Sequence, residues 1–153
     1  MRIHEMQAVI DQVSADQVRY GEAQQGAATP EQVEQVRAEV TARFGAALPP
    51  DFARFLALSN GLDYNGVVLY GATQSETAPG ANGFWQGLVA ANAAWRKGPG
   101  HEQYLVLGET DMDLFTVGLD GTDPVLRDKV SSDVNARFAS VGAAIDAILE
   151  QRL

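Results

Sequence analysis

Carboxylates are the residues with the most chemical potential in this chain, and they gather late in it, as Glu109, Asp111 and Asp113 and then Asp120 and Asp123. Two carboxyl groups can divide acid and base work when their surroundings push their proton affinities apart. The same run could open a calcium loop, but Phe115 and Thr116 stand where such a loop needs its glycine, and no glutamate closes it. Carboxylates lying between short β-prone runs are more often solvated or bonded to the backbone N–H groups of a turn, and these fit that pattern. His4 and His101 are the only imidazoles, without HExxH or paired-His spacing, so no zinc site is expected. The chain has no cysteine, which removes thiolate nucleophiles, disulfides and cysteine-ligated metals. No serine sits in a GxSxG context, and no GxxxxGK or GxGxxG run is present to cradle a phosphate. The expectation is a protein with no catalytic residues, no metal and no cofactor. Trp85 and Trp95 share a helical spacing with Leu88 and Asn92, which reads as packing before it reads as a ligand box.

The 153 residues are long enough to bury a core without staples and too few for two ordinary domains, so one domain over 1–153 is expected. A net charge of −9 disfavours nucleic acid and anionic membrane as direct partners and favours a basic protein. The bases are unevenly placed: none lies between Arg54 and Arg96, or between Lys97 and Arg127, where six acids do. The opening MRIHEMQAVIDQV is interrupted by His4, Glu5, Gln7 and Asp11, unlike a secretory leader, and no run is long enough to span a bilayer. With no cysteine to oxidise, a reducing cytoplasm is the simplest compartment.

The elements that must position these side chains can be read in order. Ile3, Met6, Ile10 and Val13 form one stripe of a first helix ending near Val13 or shortly beyond, followed by a polar connection over 14–28. Thr29-Pro30-Glu31-Gln32 opens a second helix as a capping box, with Val33, Val36, Val40 and Phe44 as its apolar stripe and Gly45 as its stop. A third begins at Pro50, buries Phe52, Phe55 and Leu56, and stops at Asn60-Gly61. Asn65-Gly66 is a tight-turn signal before the strand Val67–Tyr70. A loop over 72–83, a helix over Phe84–Arg96, strands over Tyr104–Leu107, Leu114–Leu119 and Pro124–Lys129, and a last helix capped by Ser140 complete the chain. The prediction is an α+β fold, mainly an antiparallel sheet with a three-strand meander and helices packed on it.

The segment LPPDFARFLALSNG resembles the SUKH superfamily, which contains the fungal Smi/Knr-type cell-wall regulators and many bacterial immunity proteins, and is closest to its YrhA-like branch. Leu48-Pro49, Phe52, Phe55-Leu56 and Asn60-Gly61 occupy the family's pattern, and NGVVLYG, AANAAWR and YLVLGETDMDLFTVGLDG follow in the family's order over roughly 29–149. The resemblance implies a SUKH-like fold and a non-enzymatic binding module, most often one that neutralises a cognate toxin of a bacterial polymorphic or contact-dependent system. It supplies no catalytic set and leaves the oligomeric state open. Acidity and loop placement then single out Asp63, Tyr64, Trp85, Glu109, Asp111, Asp113, Asp120 and Asp123 as partner contacts, with Tyr64 or Trp85 as the buried aromatic anchor and a basic toxin domain, such as a nuclease, as the partner. A Smi/Knr-type regulatory scaffold and a small hydrolase using the acidic loops are the alternatives.

Overall fold

The structure, a computed structural model, describes residues 3–73, 84 and 86–153, with the side chains of 3–5 outside that description. The loop expected over 72–83 lies mostly outside the described residues, and so does Trp85. Helices α1 (Ile3–Arg19), α2 (Pro30–Phe44) and α3 (Pro50–Leu58) precede the hairpin β1 (Leu62–Tyr64) and β2 (Val67–Leu69). Helix α4 (Leu88–Trp95) follows, then β3 (Tyr104–Glu109), β4 (Asp113–Gly118), β5 (Val125–Asp128), β6 (Val134–Arg137) and helix α5 (Val141–Glu150). All six strands form one antiparallel sheet in chain order, each pairing with the next. The architecture is α+β with helices packed on the sheet, and the meander runs through the whole sheet rather than three strands of it.

Local signals explain most of these boundaries. The capping box forms as written: Thr29 Oγ1 accepts from the Gln32 N–H at 3.1 Å, and Gln32 Oε1 accepts from the Thr29 N–H at 2.8 Å. Gly45 closes α2 in the left-handed region. Helix α1 runs six residues past Val13 because the buried stripe continues through Gln17, a polar residue that hides the periodicity from a hydropathy reading. Helix α3 already ends at Leu58 with Ser59 extended, before the Asn60-Gly61 pair expected to stop it. Gly61, at φ +87°, is required where the chain passes the Phe84 ring, which a Cβ would meet at 2.5 Å. Helix α4 starts at Leu88 rather than Phe84, because Gly71 and Gly87 first form a parallel bridge that carries the chain off the sheet.

Two strands, β1 and β6, go beyond the predicted set. β1 alternates buried, exposed, buried, but over only three residues, and β6 is exposed along most of its length, so neither carries enough of the pattern that marks a half-buried strand. β6 makes β5 an interior strand, with Pro124 just before its start, where its carbonyl accepts from the Phe138 N–H at 3.0 Å.

Alternation along the chain sorts the two faces of the sheet. Tyr64, Val67 and Leu69 face α1, since the Tyr64 hydroxyl reaches Asp16 of that helix. Helices α1, α3 and α5 pack on one another, and Phe52, Phe55 and Leu56 of α3 lie fully inside the core. Val68 and Tyr70 point to the opposite face, where Trp95 of α4 donates to the Tyr70 hydroxyl. A buried side chain also ties helix α4 to the sheet: Asn92 accepts from the Val106 N–H and donates to the Val106 carbonyl, both at 2.8 Å. Asn92 thus substitutes for a neighbouring strand where β2, only three residues long, has already ended.

Candidate partner-binding surface

In an antiparallel meander the connections alternate between the two ends of the sheet. Asn65-Gly66, Thr110–Met112 and Lys129–Asp133 therefore converge at one end, while the β4–β5 connection lies at the other. This arrangement divides the predicted acidic residues. Glu109, Asp111 and Asp113 belong to the first end, and Asp120 and Asp123 to the second, separated by the length of β4, about 17 Å at a rise of roughly 3.4 Å per residue. The predicted acidic residues therefore sit at two ends of the sheet rather than in one loop cluster.

The first end is built by local hydrogen bonds. Thr110 closes the β3–β4 turn, its N–H donating to the Asp113 carbonyl at 2.9 Å and its Oγ1 accepting from the Asp113 N–H at 3.2 Å. Asp128 closes the β5–β6 turn by accepting from the Val130 and Ser131 N–H groups, both at 2.8 Å. Those donors, Ser131 first and Val130 next, hold its carboxyl below the usual range. The Lys129 N–H donates to the Met112 carbonyl at 3.0 Å and locks the two turns side by side. As a result Met112 and Val130 stand out from the surface, 70% and 96% exposed. Around them lie Asp111, whose carboxylate is 3.8 Å from Arg152, Asp113, which accepts from Asn135 at 2.7 Å, and the exposed Asp133.

The remaining predicted contacts fall as follows. Asp63 is exposed on the edge strand β1. Tyr64 is not an accessible anchor: it is 1% exposed, and its hydroxyl donates to Asp16 at 2.6 Å. Burial first, and that bond to a carboxylate next, push its phenol up to about 12. Glu109 is only partly accessible, with one oxygen 3.0 Å from Lys129 Nζ and the other accepting from the Tyr70 hydroxyl at 2.7 Å. Asp120 is held below the usual range by the Thr122 hydroxyl and N–H, and Asp123, at φ +61°, pairs with Arg137 at 2.9 Å. Sequence reading missed Met112, Val130, Asp128 and Asp133, because the turn that carries three of them becomes visible only once β6 is known.

A second constellation occupies the α4 face of the sheet. Lys129, Glu109, Tyr70 and Trp95 form one chain of contacts, and His101, Tyr104, Arg127 and Thr116 another. Arg127 lies 4.3 Å over the Tyr104 ring and bonds Thr116 at 3.1 Å. Burial, reinforced by Glu109 and opposed by Trp95, drives the Tyr70 phenol far above its ordinary range. With both Glu109 oxygens engaged and Tyr70 held protonated, the chain through these two residues binds α4 to the sheet rather than presenting a poised proton donor or acceptor. Among the described residues no three histidines or carboxylates are grouped to hold a metal ion.

The fold and its acidic end define an α+β protein with a six-stranded meander. A crystal structure of a protein from Pseudomonas syringae pv. tomato is similar to it, with a TM-score of 0.63 at 17% identity, covering 94% of this chain and 98% of the other. At that identity the likeness is one of fold. No family model and no curated protein matches the chain. No helix among the described residues is long and apolar enough to cross a membrane.

Proposed function

We propose that this chain is a binding protein without catalytic machinery, and that it grips a basic protein partner with the sheet end carrying Met112 and Val130. The observation that carries the reading is the pairing of two exposed apolar side chains with Asp111, Asp113 and Asp133 around them. Apolar groups at the centre of a contact supply most of its lifetime, while charges at its rim speed encounter. In keeping with the SUKH resemblance, the partner is a cognate bacterial toxin, and a nuclease domain suits the charge because it must attract phosphate with lysine and arginine. Action inside the cytoplasm, where such a toxin would meet its target, completes the reading.

The test is surface plasmon resonance against the protein encoded beside this one, at several salt concentrations. Asp111→Asn with Asp113→Asn should slow association and flatten its salt dependence, whereas Met112→Ala with Val130→Ala should mainly speed dissociation, by about tenfold or more. Binding that ignores both pairs of changes overturns the proposal.

A further inference from the structure

We infer that the outer edge of β1 is a second docking site of the same surface, taking an extended segment of the partner with an arginine or lysine side chain inserted beside Asp63; this rests on the basic partner proposed above. In a two-residue hairpin the residues flanking the turn, Tyr64 and Val67, exchange the ladder bonds, so the next pair, Asp63 and Val68, does not. Val68 turns its backbone toward β3, and Asp63 turns its own outward. The Asp63 N–H meets no acceptor among the described residues, and its carbonyl receives only Gln17 Nε2 at 3.4 Å, long for an N–H···O bond. Outward-pointing, weakly held backbone groups are what an added strand needs.

A recess of about 310 Å³ lies against this edge. Leu62 and Phe84 line its apolar part, suited to the methylene stem of a long basic side chain, and Glu22, Asp63 and Gln17 supply acceptors for its head. Among the described residues no lysine or arginine lines it. Asp16 and Glu22 both lie close enough to Tyr64 to act on its phenol, so the negative field extends beyond the recess. Charge and shape together select a basic side chain over an acidic or purely apolar one.

The probe is a capped Thr-Val-Arg-Val-Thr peptide, added to the full chain at millimolar concentration and followed by amide-resolved NMR. Its control carries citrulline, the neutral isostere of arginine. Saturable shifts at the Asp63 amide and the Gln17 side-chain amide are expected, with affinity weakened about fivefold by citrulline or by Glu22→Gln. No saturable shift at Asp63, or equal affinity for the citrulline peptide, overturns the inference. If that happens while the neighbouring protein still binds through Met112 and Val130, the edge site falls alone; if that binding is also lost, the proposed function falls with it.

Discussion

Removing the Asn92 side chain should destabilise the fold more than any polar substitution at the surface. Asn92 is 1% exposed, and Asn92→Ala would leave the N–H and carbonyl of Val106, itself 1% exposed, without their partners. Each stranded buried group costs about 1–3 kcal/mol, and the better helix propensity of alanine returns about 0.5 kcal/mol, for a net loss of about 2–5 kcal/mol. For a chain of this size that lowers the thermal midpoint by about 6–15 °C, at roughly 3 °C per kcal/mol. Asn92→Asp refines the argument, since it keeps an acceptor for the Val106 N–H but sets a carboxylate against the Val106 carbonyl. Burial would raise that carboxyl's folded pKa above its unfolded value of about 3.9, so the charge penalty is absent below pH of about 4 and grows as pH rises. Calorimetry across pH measures both variants. An Asn92→Ala midpoint matching wild type, or an Asn92→Asp deficit that does not grow with pH, would refute the idea that this side chain stands in for a strand.

Phe55→Ala should cost about 3–5 kcal/mol, because the ring is fully buried with its centroid 5.2 Å from that of Phe52; denaturant titration would show it, and an unchanged midpoint would contradict it. Tyr64 should ionise near pH 12 instead of its ordinary 10.0, read from phenolate absorbance. A folded pKa raised this way gives stability that is whole below the unfolded value and is lost as pH rises through the folded one. Tyr64→Phe should therefore remove part of the alkaline destabilisation between those values.

The sequence by itself determined the elements whose instructions are local. The Thr29–Gln32 capping box, Gly45, the Ser140 cap and the Asn65-Gly66 turn act over three or four residues, and each appears where the chain is written for it. Apolar runs likewise marked Phe52, Phe55 and Leu56 for the core and Tyr104–Leu107 for the interior of a sheet. Tertiary structure alone decided what depends on neighbours distant in the chain. β1 and β6 are strands because β2 and β5 pair with them; β1 alternates over only three residues and β6 is exposed along most of its length. Asn92 and Gln17 are buried polar groups because Val106 and Asp63 lie opposite them. The candidate surface has the same origin: acidity was legible residue by residue, but which acids share a face depends on strand order. The meander brought Asp111, Asp113 and Asp133 to Met112 and Val130, sent Asp120 and Asp123 to the far end, and put Tyr64 inside. Side-chain alternation and hydrogen-bond register are properties of pairs of strands, so no single stretch of the chain could carry that information.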